Sequence, residues 1–407
     1  MVQIDSQRLL ASLQKLRTFG AVDNGVVRPT YSAIDMASRK WLIEQMEAAG
    51  LDAAIDGVGS VHGRSRNPGP AVLIGSHTDT QPEGGWLDGA MGVMYGIEVA
   101  RALHDDPATA HLAVDVASWA DEEGTYGSFI GSRSFVGEFT DQDLQAENVD
   151  GESVASALER LGLTCTPRVR LDADRYAGYL EAHIEQGPHL EDTGKLLGVV
   201  TSIVGLRAMQ ITFTGEQNHA GSTPMARRKD AGNAMFRFGV RVDERLRELA
   251  GPTTVWTIGN CRMLPGGESI IPGSAWCGLQ FRDSDESILN TFEVAVRELA
   301  AEMTAEGPVA VHAELRRNPT APAHMDAGLR SHLEAACEST APGAWVSMPS
   351  AAAHDAQITA RHMPSAMLFI PSINGISHNF AEDSAHDDIE LGCQALAVAT
   401  ESILTAV

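Results

Sequence analysis

From Ala71 to Gly75 the chain reads AVLIG without a polar side chain, and the next residues are SHTDT. A continuous apolar run this short suits a strand buried on both faces of a parallel sheet, where helices cover both sides. Ahead of it, between Ile34 and Gly50, apolar residues fall at helical spacing (Trp41, Leu42, Met46). The alternation returns as a helix over Gly92 to Leu103 and strands over Leu112 to Trp119, Tyr179 to Ile184 and Ala366 to Ile370. Together these predict an α/β fold, a mixed or parallel sheet flanked by helices.

The rhythm changes between about Leu206 and Arg317. Strand (Ala208 to Thr214), helix (Asp230 to Leu249), two strands (Val255 to Cys261, Ala275 to Phe281), helix (Ser284 to Glu306) and strand (Val309 to Leu315) follow in turn. That order, βαββαβ, is a ferredoxin-like unit. Signals of the first kind resume after about Pro322, so the unit is inserted in a discontinuous α/β domain. The expected division is 1–205 with 323–407 for the larger domain and 206–322 for the inserted one. Two domains also fit 407 residues, more than one core usually serves. No tandem repeat is visible.

A formal charge of -24 repels phosphate backbones and anionic membrane surfaces. The nearest basic patch, Arg227, Arg228 and Lys229, runs straight into Asp230 and reads as a helix start at the surface. Nucleic acid is not an expected partner. Asp5 and Arg8 interrupt the place where a signal peptide would carry its apolar core, and no stretch reaches the ~18 apolar residues of a membrane span. A cytoplasmic location without membrane contact is expected. The cysteines (Cys165, Cys261, Cys277, Cys337, Cys393) are odd in number, scattered and without a CxxC pair. They predict neither disulfides nor a thiolate metal site and read as buried apolar fillers.

Chemistry-bearing residues gather where strands end. His77, in GSHTDT, closes the first apolar run, and Asp79 two residues on is placed to accept its second ring proton. Asp88, in GGWLDGAMG, stands ahead of a helix, either as its N-cap or as a carboxylate whose two oxygens bridge two cations. In SWADEEG three consecutive acids follow a buried strand, and cations at the site would offset their mutual repulsion. One of them would ligate metal while its neighbour stays free as a base. His183 with Gln186, in EAHIEQGP, and His378, in PSINGISHNFAED, complete the set. Three histidines and three acids on separate strand ends are the composition of a nitrogen and oxygen two-metal site.

In these residues the chain resembles the amidase and carbamoylase branch of the aminoacylase-like, carboxypeptidase G type binuclear metallohydrolases. That branch contains N-carbamoyl-L-amino acid hydrolases, allantoate amidohydrolases and bacterial β-ureidopropionases. The match runs nearly end to end through GSHTDT, LDGAMGV, DEEG, HIEQGP, NHAGSTPM, HDAQ and FIPSINGISHN. The resemblance implies two divalent ions (zinc, or manganese, nickel or cobalt) held by His77, Asp88, Glu123, His183 and His378, with Asp88 bridging and Glu122 as general base. It further implies that the inserted domain forms a homodimer and closes over the site, with His219 polarising the scissile carbonyl from the partner subunit. Arg282 would clamp the substrate carboxylate, with Gln186, His354 and position 269 as further substrate contacts. A histidine at 183, where the peptidase branch commonly has aspartate, leans toward ureido and carbamoyl substrates.

There are departures from the family pattern. Ser269 in GGESIIPG replaces the usual asparagine, TYGSFIGS after DEEG is short, and SAAAHDAQ around His354 lacks the usual flanking glycines. The expected function is hydrolysis of the carbamoyl or ureido C–N bond of an N-carbamoyl-L-amino acid or related ureido acid. Allantoate amidohydrolase, β-ureidopropionase, and an aminoacylase or dipeptidase stand as alternatives. A catalytically silent scaffold protein is a further one, at odds with the intact set of base and ligands.

Overall fold

The structure is a computed structural model that describes residues 2–316 and 319–406; the Arg317 edge of the expected insertion lies outside the described residues. The chain divides into two compact units, Met1–Thr201 with His324–Val407, and Ser202–Ala323.

In the first unit the strands Ser365–Ile370, Tyr176–Ile184, Ala71–His77 and Ala113–Trp119 lie side by side and parallel. Antiparallel strands extend the sheet on both sides, Leu197–Ile203 beside Ser365–Ile370 and Val61–Ser65 with Leu51–Ile55 beside Ala113–Trp119. The sheet is therefore mixed. Every residue of Ala71–His77 and of Ala113–Trp119 is buried, the consequence of helices on both faces. On one face Val72, Ile74, Val114 and Val116 pack with Val93 and Ile97 of the helix Ala90–Asp105 and with Leu396 and Ile403 of His386–Ala406. Each such side chain contributes about 1.5–3 kcal/mol by leaving water. A separate cluster brings Tyr31 and Val58 against Ala120, Ile130, Phe139 and Leu158.

The second unit is an antiparallel four-stranded sheet in the order Val255–Leu264, Ser274–Asp283, Gly205–Thr214, Ala310–Leu315. Helices Ala231–Leu249 and Glu286–Glu306 cover one face, each N-capped by an aspartate side chain, Asp230 and Asp285. Strict alternation of burial along Gly205–Thr214 and Ser274–Asp283 shows the other face half open to solvent. The edge strand Val255–Leu264 is exposed along nearly its whole length.

The cysteine expectation needs correcting. Cys277, Cys337 and Cys393 are buried, but Cys165 and Cys261 are exposed. Cys165 lies in the loop after the helix Val154–Arg160, and Cys261 on the open edge strand, so neither has a core to fill. All five thiols are free. Among the described residues no helix is long and apolar enough to cross a membrane. Unanticipated in the sequence are the helices Ser6–Arg17, Ala327–Thr340 and His386–Ala406.

Candidate metal centre

Because the four central strands are parallel, the segments that follow them gather at one edge of the sheet. His77 is the last residue of Ala71–His77, His183 the last but one of Tyr176–Ile184, the three acids follow Trp119, and His378 lies in the loop after Ile370. Asp88 does not cap the helix behind it. Gly89 is the N-cap, at φ 63 and without a side-chain cap bond, which leaves the Asp88 carboxylate for other partners. Only glycine fits there, since a Cβ would overlap the His77 ring.

Three imidazoles converge on that carboxylate. Asp88 Oδ1 lies 3.5 Å from His77 Nε2 and 3.1 Å from His183 Nε2, and Oδ2 lies 3.2 Å from His378 Nε2. His77, Asp88 and His183 form one group whose ligand atoms all lie within 4.8 Å of one another, and Asp88, Glu123 and His378 form a second. Two ligands bound to one ion at about 2.0–2.2 Å lie no more than about 4.4 Å apart, so small side-chain adjustments close either group on an ion. The chemistry also fits. His77 Nδ1 lies 3.0 Å from the Asp79 carbonyl and His183 Nδ1 2.9 Å from the Ile184 carbonyl. A carbonyl only accepts, so in both rings Nδ1 carries the proton and Nε2 turns its lone pair toward Asp88, a lone pair for which a proton and a metal ion compete. At the second group the Gln186 amide donates 3.0 Å to Asp88 Oδ2 and lies 3.3 Å from His378 Nε2, marking an electron-rich space. Asp79 thus orients His77 through its backbone. Its carboxylate, expected in that role, instead accepts from the Glu123 N–H at 3.2 Å.

The three consecutive acids part ways. Asp121, at φ 55, turns back to accept from the N–H groups of Tyr126 and Gly127. Glu122 points to the centre, its Oε2 3.6 Å from His77 Nε2, and Glu123 Oε2 lies 3.8 Å from His378 Nε2 and accepts from Gln81 Nε2 at 2.7 Å.

Residues 73–402 match the Peptidase family M20/M25/M40. The chain belongs to peptidase family M20/M25/M40. It is 32% identical over 402 residues to the N-carbamoyl-L-amino acid amidohydrolase of Geobacillus stearothermophilus, covering 97% of each chain. To the allantoate amidohydrolase of Escherichia coli (strain K12) it is 33% identical, covering 96% of each. A crystal structure of an amidase (hydantoinase/carbamoylase family) from Burkholderia phymatum superposes with a TM-score of 0.94 at 51% identity, over 100% of this chain and 99% of that one. These relatives put the M20-family chain in the amidohydrolase branch, and its His/Asp/His group suits a divalent metal ion.

In this M20 enzyme the carboxylates outnumber the protein's own cations. Burial, with Glu123, Asp355 and Asp88 nearby, drives the Glu122 carboxyl well above the ordinary range, against the pull of His77. Burial likewise pushes Glu123, Glu181 and Glu382 up to about 7. Asp88 goes the other way: burial opposes its ionisation, but the three imidazoles hold it well below the ordinary value. A cluster that resists full ionisation by itself is one that positive ions would stabilise.

The remaining expected residues fall in several places. His354 is buried, its Nε2 3.0 Å from Ser350 Oγ and its ring 4.5 Å from that of His183. Gln186 is at the second group, with φ 58. His219, Ser269 and Arg282 belong to the second unit. His219 is exposed on the short strand Asn218–His219, paired with Ile270–Ile271, and Ala220 N–H donates to the Ser269 carbonyl. The His219 Nδ1 accepts from the N–H groups of Gly221 and Ser222, so its proton sits on Nε2, which is left as a donor. Arg282, on Ser274–Asp283, has its Nε 3.3 Å from Gln280 Oε1.

Several buried residues behind the site went unforeseen. Glu181 accepts from Ser76 Oγ and Ala356 N, and Asp355 is fully buried, its carboxyl driven well above the ordinary range by burial with Glu181 nearby. Arg28 donates to the Thr78 carbonyl between His77 and Asp79. Arg39, paired with Asp35, reaches the carbonyls of Ser118 and Trp119 just before the three acids. The sequence carries no strong signal for these, because acids and arginines usually face water.

Proposed function

We propose that the chain hydrolyses the carbamoyl C–N bond of an N-carbamoyl-L-amino acid or closely related ureido acid, using two divalent ions. The observation that carries this reading is the shared carboxylate: Asp88 belongs to both ligand groups and receives three imidazoles. His77, Asp88 and His183 would hold one ion, Asp88, Glu123 and His378 the other. The pair, when bound, supplies Lewis acidity that lowers the pKa of water toward neutrality and polarises a carbonyl.

The chain's own groups do the rest. Glu122, against His77 of the first group yet a member of neither, takes the proton of the attacking water and returns it to the leaving nitrogen. His219 presents Nε2–H to the carbonyl oxygen as negative charge develops there. By the family resemblance it reaches the site of a partner subunit, with the inserted unit as dimerisation and lid domain and its exposed edge strand Val255–Leu264 available for pairing. Arg282 clamps the substrate carboxylate with its planar fork. A carbamoyl substrate then gives an amino acid and carbamate, which decomposes to ammonia and carbon dioxide.

His183 and Gln186 beside Asp88 favour a ureido group over an acyl group, and the relatives' names point the same way. The test is ammonia release from N-carbamoyl amino acids, β-ureido acids and allantoate by protein loaded with zinc, manganese, nickel or cobalt. Turnover of N-acetyl amino acids or dipeptides without ammonia release would replace this reading by an aminoacylase or dipeptidase.

A further inference from the structure

The loop that carries His378 and the loop that carries Asp88 come from opposite ends of the chain, and one buried carboxylate joins them. Glu382 Oε1 accepts from the Asp88 N–H at 3.0 Å and the Leu87 N–H at 3.2 Å, while Oε2 accepts from Ser377 Oγ at 2.8 Å. Ser377 precedes His378 and accepts from Gln186 Nε2 at 3.1 Å, and the same amide nitrogen donates to Asp88 Oδ2. The hydrogen bonds close a ring: Asp88 backbone, Glu382, Ser377, Gln186, Asp88 side chain. Glu382 has no solvent exposure, and a Cβ on Gly85 would overlap its carboxylate, so the Asp88 loop is shaped around it.

The two ligand groups differ in how their histidines are held. His77 and His183 are buried and fixed by Nδ1 to backbone carbonyls. His378 is half exposed, sits at φ 51 in the left-handed region, and among the described residues no group hydrogen-bonds its Nδ1. Apart from the contacts of its Nε2 with Asp88 and Gln186, its position rests on its backbone, which the Ser377–Glu382 bond ties to Asp88.

We propose that Glu382 is a positioning residue that couples the two ligand groups, and that its bond to Ser377 specifically secures the ion held by Asp88, Glu123 and His378. The inference rests on the two-ion reading above. Outlying hydrogen bonds that orient ligands are typically worth 10–100-fold in metal affinity.

The experiment is equilibrium dialysis of metal-stripped protein against Mn2+, for the wild type and for Ser377→Ala, Glu382→Gln and Glu382→Ala. The expected result is two ions in the wild type; in S377A one ion weakened about 10–100-fold while the other stays within about 3-fold. E382Q, which keeps an acceptor for the two N–H groups, should stay close to the wild type, and E382A should weaken both ions because Asp88 serves both. If E382A does not fold, S377A and E382Q carry the test. Two ions in S377A with unchanged affinities, or both weakened alike, would overturn the proposal. Fewer than two ions in the wild type would instead remove the reading on which it rests, and the proposal with it.

Discussion

Gly89 lies so close against the His77 ring that any side chain at 89 would occupy the ring's space. Its positive φ of 63 adds backbone strain for any other residue. Gly89→Ala is therefore expected to displace His77 and reduce metal affinity at the His77, Asp88 and His183 group by at least ~10–100-fold. Metal titration of the purified variant checks this; an unchanged affinity at both groups in G89A would contradict His77 as a ligand.

Glu122→Gln keeps the shape of the side chain and removes the base. Turnover should fall ~100- to 10,000-fold with ion content unchanged, the scale of a lost general acid-base group. Comparable turnover in the variant would assign the proton transfer elsewhere.

His219→Ala should lower kcat by ~100-fold or more, as for a lost oxyanion donor, with little effect on thermal stability because the residue is exposed. If His219 serves the partner's site, mixing inactive H219A and E122Q subunits regenerates one intact site per mixed dimer. Activity that returns on mixing supports the shared site, and a mixture as inactive as its parts speaks against it.

Acidity should act on the metal-free protein with a definite sign. Burial raises the folded-state values of Glu123, Glu181 and Glu382 to about 7, above the ordinary carboxylate value, so the folded chain binds more protons than the unfolded one between about 4.5 and 7. His378, raised to about 9 chiefly by its bond to Asp88, extends the same sign up to that pH. Stability of the stripped protein should fall as pH rises from about 4.5 to 9, and divalent metal should restore it with proton release. Melting curves across that range, with and without metal, read the effect; a stripped protein most stable near pH 9 would contradict it.

Asp35 and Arg39 form a fully buried pair. Asp35→Ala leaves Arg39 uncompensated and should cost about 3–5 kcal/mol in urea unfolding, with the D35A/R39M double variant recovering much of the loss. A cost under ~1 kcal/mol for D35A would mean that water or a shifted acid reaches Arg39.

The parallel strands were legible because a strand covered on both faces leaves a continuous apolar run, as in Ala71–Ile74, whose end places His77. The ferredoxin-like strands were legible from alternation, since one sheet face is wet. The acids behind the site were not. Glu382 looks like any acid in a polar loop, and Asp35 with Arg39 looks like a surface i,i+4 helix pair, because a sequence does not record burial imposed by distant segments. Asp88 was ambiguous between cap and ligand until Gly89 proved to hold the cap position. Cys165 and Cys261 were misread because a scattered cysteine carries no local sign of its exposure.

The central claim is that Asp88 is shared by two ions. The direct measurement is ion stoichiometry by mass spectrometry of the native protein, in the wild type and in His378→Ala. Two divalent ions per chain in the wild type and one in H378A is the predicted result; a wild type saturating at one ion, or an H378A variant that keeps two, would contradict it.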